Sequence, residues 1–239
     1  MAAPLPVACV VPARMGSSRF PGKPLVPIAG VPMVARTLRR AELAGCFDRI
    51  LCATDSEEIA AAAHAAGFEA LTTPSGLRTG SDRVAWAARE LGLDLVVDLQ
   101  GDEPLADPEL LRGLARGLVS DPTCWWSAAC PLAPGDWARD SVVKVLVDGD
   151  GYARDFVRSE ADRTPGEWFR HVGFYAYDKI RLDLFMNSTS SPLETSRRLE
   201  QLRCFPRVPV RMAKTERPSL SVDLPEDVAA VERLLAAKG

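Results

Sequence analysis

Arg14, Ser17, Ser18, Arg19 and Lys23 fall within ten positions of one another in the stretch VVPARMGSSRFPGKPL (10–25). Three cations interleaved with two hydroxyls suit a polyphosphate, because guanidinium and ammonium groups make charge-assisted bonds to phosphate oxygens. Gly16 and Gly22 let backbone amides approach such a ligand closely. The pattern is not one of the common phosphate loops. Five residues separate Gly16 from Gly22 and Pro24 follows Lys23, so there is no Walker A sequence, and no G-x-G-x-x-G occurs. Side-chain cations must carry a large share of the binding.

Acidic turns offer a complement. GDEP (101–104) follows an apolar run, which puts Asp102 and Glu103 on a loop at the carboxyl end of a strand. Such carboxylates either decorate a solvated turn or hold Mg²⁺ on a nucleoside triphosphate, since magnesium takes carboxylate, phosphate and water oxygens. SVDLPED (221–227) supplies Asp223, whose spacing to Pro225 and Glu226 also reads as a helix N-cap with its capping box. RTGSDR (78–83) brings Arg78, Ser81 and Arg83 around Gly80. It reads equally as a recogniser of a base edge and as a helix start capped by Ser81 or Asp82. HVGFY (171–175) places His171, Gly173 and Tyr175 on one strand face by period two. In SPLETSRRLEQLR (191–203), Arg197, Glu200 and Arg203 recur at three-residue steps, the spacing of a solvated, salt-bridged helix face.

These groups need elements to position them. Apolar strand-like runs at 6–12, 48–55, 68–72 and 94–100 alternate with helical patterns. One helix is expected over 32–44, ended by Gly45. A second runs to 66 and is opened by Asp55 and Glu58 at N-cap and N3, and a third covers 82–91. Repeated β-α-β of this kind means a parallel sheet covered by helices, with ligands outside the carboxyl ends of its strands. The second half changes rhythm: strands at 125–131, 141–147 and 171–177, a turn at VDGDG (147–151), and helices at 192–202 and 225–237. The expected fold is α/β, a Rossmann-like, mostly parallel sheet with a smaller embedded mixed α+β lobe. The whole chain, 1–239, reads as one domain. Its nucleotide-binding portion is about 1–122 and 205–239, and its acceptor or dimer lobe about 123–204.

With 239 residues, 47% hydrophobic and 26% charged, the chain has ample core for such a fold. A net charge of −3 argues against nucleic acid or an anionic membrane as partner, so any basic site is local. The N-terminus MAAPLPVACV lacks the basic start of a signal peptide, and no uncharged run approaches the length of a membrane span. Six cysteines without C-x-x-C spacing, two of them inside apolar runs, point to free thiols in a reducing cytoplasm. Two histidines limit histidine-based chemistry.

Taken together, these stretches resemble the 3-deoxy-manno-octulosonate (Kdo) cytidylyltransferases, or CMP-Kdo synthetases, which have a nucleotidyltransferase-type sheet. The family's IPAR-x-x-S-[ST]-R-[FL]-PGKPL loop corresponds to VPARMGSSRFPGKPL, its SGT-[DE]-R turn to TGSDR (79–83), and its QGDEP is intact at 100–104. VKVLVDGDGYA (143–153), HVGFYAY (171–177), LEQLR (199–203) and VDLPEDV (222–228) follow in the family's order. The resemblance implies transfer of CMP from CTP to an acid, with Mg²⁺ and release of pyrophosphate. By position, Pro12, Ala13, Arg14, Ser17, Ser18, Arg19, Lys23, Arg78, Gly80, Ser81 and Gln100 would bind the nucleotide. Arg14, Lys23 and Asp102 would serve catalysis, and Asp102 and Asp223 would hold the metal. Arg158, His171, Tyr175, Arg197, Glu200 and Gln201 would line the acceptor side. A homodimer is also implied.

Departures from the family pattern concentrate on that acceptor side. RSEADRTP (158–165) replaces the usual SRA-x-IP, and the stretch from there to His171 is short. The family's HxSGT reads Leu77-Arg78-Thr79-Gly80-Ser81, and a glutamate of its LE-x-x-E-x-LEQLR helix becomes Arg197. Two added arginines and a smaller lid suit a small, highly charged acceptor. The expectation therefore leans to a phosphonate such as phosphonoformate, with Kdo as the alternative acceptor and a non-catalytic nucleotide-binding homologue as a further one.

Overall fold

The computed structural model describes residues 6–16, 20–217 and 220–237. Its first strand, β1 (Val7–Ala13), is buried along its whole length. Alternate residues serve opposite faces: Val7, Cys9, Val11 and Ala13 join one apolar cluster, while Val10 joins the other. A strand buried on both faces belongs at the centre of a parallel sheet. β1 accordingly lies between β4 (Arg49–Thr54) and β6 (Leu95–Asp98), parallel to both, and β5 (Glu69–Thr72) extends the sheet beyond β4. A two-residue pair, β2 (Pro27–Ile28) and β3 (Val31–Pro32), stands apart from it.

Helices cover both faces. On one, α1 (Met33–Ala44), α2 (Glu57–Ala65) and α4 (Pro108–Ser120) bury Leu38, Ile59 and Leu111 in the cluster containing Cys9. On the other, α3 (Gly80–Leu91) buries Val84 and Ala88 against Val10. α4 was not expected from the periodicity, although Asp107 caps it and Pro108 opens it.

The second half adds β7 (Trp125–Cys130), β8 (Lys144–Val147), β9 (Ala153–Val157), β10 (Glu167–Asp178), α5 (Lys179–Met186), α6 (Pro192–Arg197), β11 (Val210–Lys214) and α7 (Pro225–Ala236). β10 ties the halves together. Its carboxyl-terminal part pairs antiparallel with β6, its middle with β7, and its start with β8, which carries β9. The central order is β11-β7-β10-β6-β1-β4-β5, in which four of the six neighbouring pairs are parallel. The expected α/β sheet is present. β9, α5 and β11 are additional, and the turn at 148–152 joins β8 to β9 as VDGDG foretold, with Gly151 at φ 85°.

Three caps differ from the sequence reading. Ser56, not Asp55, caps α2; its hydroxyl accepts from the amide of Ile59, which frees Asp55 to pair with Arg83 at 2.9 Å. Thr79, not Ser81 or Asp82, caps α3, with Asp82 closing the capping box at N3. Asp223 does not cap α7. Asp227 accepts from the amides of Asp223 and Leu224 instead, so the Asp223 carboxylate faces elsewhere. The expected helix over 192–202 is also broken. Arg198 takes φ 53°, and a separate 3-10 turn covers Glu200–Arg203.

All six cysteines are free thiols. No helix among the described residues is long and apolar enough to cross a membrane.

Candidate active site

The carboxyl ends of β1 and β6 open into a cleft with two connected arms. The smaller, 260 Å³, is lined by Pro12, Ala13, Arg14, Lys23, Arg83, Gln100, Asp102 and Asp223. The larger, 740 Å³, shares Arg14, Thr79, Gly80, Gln100 and Asp102 with it and extends past Arg158, Arg170 and His171 to Arg198 and Gln201. Ser17, Ser18 and Arg19 lie outside the described residues.

The floor between the arms is the GDEP loop, held where it is by close packing. A Cβ on Gly101 would stand 2.6 Å from the carbonyl oxygen of Pro12, so only glycine lets the two carboxyl ends approach this closely. The Thr37 hydroxyl of α1 is shared between the Met33 carbonyl at 3.1 Å and the Gly101 carbonyl at 3.2 Å. The amide of Val222 donates to the Asp102 carbonyl at 2.9 Å, which brings the chain before α7 alongside the loop. Asp102 and Asp223 therefore flank one point, and Lys23 occupies it. Its ammonium lies 2.6 Å from Oδ2 of Asp102 and 3.8 Å from Oδ1 of Asp223. Arg14 reaches across the entrance and donates to the Arg78 carbonyl at 3.2 Å.

Gln100 stands at the junction of the arms. Its Nε2 donates to Oδ1 of Asp98 at 2.7 Å, and a Cβ on Gly80 would meet its Oε1 at 2.7 Å. Glycine at the first position of α3 is what lets this amide lie along the helix start.

The wall of the larger arm combines β10 with the 3-10 turn. His171 and Tyr175 lie with ring centroids 5.6 Å apart. Ser127 donates to the Phe174 carbonyl at 2.8 Å and meets Nε2 of His171 at 2.8 Å. The hydroxyl proton is used on the carbonyl, so Nε2 carries the ring proton and Nδ1 is the acceptor nitrogen. Burial, followed by the charge of Arg158, lowers the His171 pKa to about 3 and keeps the ring neutral. Burial likewise raises the Tyr175 phenol well above its ordinary value. Gln201 is buried and lines the cavity, and its Nε2, sealed from solvent, has no hydrogen-bond partner among the described residues.

The 3-10 turn is anchored from below by Arg203, which is buried rather than on a solvated face. It bonds Asp82 at 2.8 Å and Glu194 at 2.9 Å, joining the start of α3 to α6. Burial alone would lower its pKa, but the bonds from Glu194 and Asp82 raise it above its ordinary value. Lys144 plays a similar part beneath Arg158. Fully buried, it donates to the carbonyls of Arg158 at 2.6 Å and Arg139 at 3.0 Å.

Two expected site residues do not face the cavity. Arg197 turns to Asp155 at 2.5 Å and the Phe156 carbonyl at 2.9 Å, because the helix ends at Arg198 and points the preceding side chain at β9. Ser81 is 2% exposed and bonds Glu200 and Asp98 instead. Conversely, Arg170, Arg198 and Thr79 line the larger arm without having been singled out. Arg170 was legible as the neighbour of His171; Arg198 depended on an unforeseen helix break.

Known proteins match nearly the whole chain. A cytidylyltransferase family profile matches residues 8–208. The 3-deoxy-manno-octulosonate cytidylyltransferase of an Anaeromyxobacter species is 42% identical, over 97% of each chain. That of Desulfosudis oleivorans is 37% identical, over 97% of this chain and 98% of its own. The chain belongs to the CMP-Kdo synthetase family. A solved structure of CMP:2-keto-3-deoxy-manno-octonic acid synthetase complexed with CTP superposes with a TM-score of 0.90 at 30% identity, covering 98% of this chain and all of that one. This family member is thus a cytidylyltransferase on the mixed α/β sheet of its relatives, and CTP is its nucleotide.

Proposed function

We propose that the chain transfers CMP from CTP to 3-deoxy-manno-octulosonate, releasing pyrophosphate. The observation that carries the acceptor is the larger arm, 740 Å³ of mixed polar wall. Its lining includes Gln201, the neutral His171 ring and the Arg158 and Arg170 guanidiniums. Hydroxyl and carboxylate oxygens of a sugar acid suit those donors and acceptors. The curated relatives carry this activity in their names. The case for a small phosphonate rested on two added arginines and a smaller lid; Arg78 does line the larger arm, but Arg197 is committed to Asp155 and Phe156. Kdo is therefore favoured over phosphonoformate.

Asp102 and Asp223 fit a magnesium ion. The ion demands few protein ligands, commonly one or two carboxylates beside phosphate and water oxygens. The Lys23 ammonium between them marks the point at which positive charge is stabilised. When bound, Mg²⁺ would neutralise developing charge on the phosphates.

In the reaction an acceptor hydroxyl oxygen bonds to the α-phosphorus as the bridging oxygen of the pyrophosphate leaves. Charge spreads over the phosphoryl oxygens, so positioning and fixed positive charge do most of the work. Arg14, shared by both arms, and Lys23, in the smaller arm, supply fixed positive charge for the triphosphate. Gln100 and Gly80 border the nucleotide. His171, Tyr175 and Gln201 are the groups assigned to orient the acceptor, and Glu200, at the wall of the same arm, is the carboxylate assigned to receive its hydroxyl proton.

The test is incubation with CTP, Mg²⁺ and Kdo, reading pyrophosphate and a CMP-linked sugar by mass. Formation of both supports the assignment, and CTP binding without pyrophosphate release overturns it.

A further inference from the structure

Beneath the cleft floor lies a buried acid that neither the nucleotide nor the acceptor needs to touch. Asp98 is the last residue of β6 and is fully buried. Its Oδ2 lies 3.2 Å from the hydroxyl of Ser81, and that same hydroxyl lies 2.9 Å from Oε1 of Glu200 at the cavity wall. The Oδ1 of Asp98 accepts from Gln100 at 2.7 Å. One serine oxygen thus sits between two carboxyl groups.

Proton counting constrains this arrangement. A hydroxyl has one hydrogen and donates along one direction. With both acids ionised, one of the two oxygen–oxygen contacts would hold no hydrogen and would be repulsive. One acid must be protonated. Asp98 is sealed from solvent, whereas Glu200 opens to the cavity, so the charge costs more on Asp98. The shorter contact, to Glu200, fits a hydroxyl donating to the charged carboxylate.

We infer that Asp98 holds a proton and acts as a positioning residue, aiming the Ser81 hydroxyl at Glu200, fixing the Gln100 amide and keeping Glu200 charged at the cavity wall. The chain of bonds runs from Asp98 Oδ2–H to Ser81 Oγ, and from Ser81 Oγ–H to Glu200. Gln100 spends an N–H on Oδ1, which turns its Oε1 along Gly80 at the junction of the arms. The groups around the pair agree. Asp102 and Glu200 set negative charge near Asp98, the Tyr175 and Tyr177 phenols are held neutral close by, and Cys9 adds no positive charge. Burial raises the Glu200 pKa as well, the Ser81 and Thr79 hydrogen bonds work against that rise, and Asp82 and Arg203 face the group with opposite signs. Burial and then the charge of Glu200 raise the Asp98 pKa well above its ordinary value, consistent with the geometry.

The activity readout rests on the proposed transfer to an acceptor hydroxyl in this cavity; the stability and spectroscopic readouts need no acceptor. Asp98→Asn preserves the shape and the donor of a protonated acid, and Asp98→Ala removes both. At pH 7, Asp98→Asn is expected to keep kcat/KM within about threefold of the parent, while Asp98→Ala and Ser81→Ala lose tenfold or more in kcat, the usual cost of losing an orienting partner. The parent must take up a proton at Asp98 on folding above the unfolded pKa. The Tm of Asp98→Asn is therefore expected to rise relative to the parent as pH goes from 5 to 8. Should Asp98→Ala not fold, aspartate labelled with ¹³C at Cγ reads the parent directly, the resonance being assigned by its loss in Asp98→Asn. A neutral-acid shift at pH 7 supports the inference. A shift that titrates below pH 5, a Tm difference independent of pH, or a pH-dependent gain in Glu200→Gln but not in Asp98→Asn would each overturn it. If Kdo is not the acceptor, only the activity readout is lost.

Discussion

The ammonium of Lys23 is bonded to the Asp102 carboxylate at 2.6 Å across 79 residues of chain. The pair joins the phosphate loop to the GDEP loop, so each of these two polar stretches holds the other in place. Both groups are partly solvated, and the bond stabilises the fold by only about 1 kcal/mol. Lys23→Ala and Asp102→Ala are expected to keep Tm within a few degrees while cutting turnover by roughly a thousandfold or more, the scale of losing a fixed charge at a transition state. Pyrophosphate release alongside thermal melts checks this, and a normal rate in either variant contradicts it.

Two neighbouring glycine sites separate function from stability. At Gly80 the obstacle to a Cβ is the far end of the Gln100 side chain, whereas at Gly101 it is the Pro12 backbone. Gly80→Ala is expected to fold normally, since alanine favours a helix, and to lose about tenfold in kcat/KM for CTP as the amide is displaced. Gly101→Ala is expected to lower Tm, because a backbone carbonyl cannot move aside cheaply. Equal melting losses in the two variants would show that the Gln100 amide is not what Gly80 accommodates.

Arg203 should behave as a buried ionic anchor. Its two carboxylate partners, Asp82 and Glu194, lose compensation when it is removed. Arg203→Ala is expected to cost about 3–5 kcal/mol in chemical denaturation. A loss below about 1 kcal/mol would return it to the solvated face that its spacing first implied.

That contrast shows what the sequence could convey. The parallel sheet was legible because Val7–Val11 is an unbroken apolar run bounded by a proline, and GDEP ends another. Polar spacing was less informative. Arg197, Glu200 and Arg203 recur at a helical interval, yet Arg198 interrupts the helix and sends the three side chains to Asp155, the cavity and a buried ion pair. SVDLPED holds three acids in five positions, each a chemically reasonable cap, so the choice of Asp227 over Asp223 depended on the path of the chain. Asp98 was hidden for a different reason: nothing in DLVVDLQ shows whether a strand's terminal acid faces water or a serine.

His171 predicts an acid-sensitive fold. Its pKa is lowered to about 3 in the native protein and is ordinary, near 6.5, when unfolded. The unfolded state binds the extra proton first, so stability is lost as pH falls below 6.5 and continues to fall towards pH 3. The loss amounts to about 2 kcal/mol at pH 5 and on the order of 5 kcal/mol across the whole window. Denaturant titrations at pH 7 and 5 should show it, and His171→Asn should lessen it. A parent protein equally stable at both values would mean that the ring is protonated in place.

The central claim is best tested by kcat/KM for Kdo and for phosphonoformate, measured side by side by pyrophosphate release with saturating CTP and Mg²⁺. The larger arm and its polar wall predict a preference for Kdo of at least about a hundredfold, well inside the roughly ten-thousandfold reached where the wrong ligand leaves buried polar groups unpaired. Equal or preferential turnover of phosphonoformate would contradict the assignment.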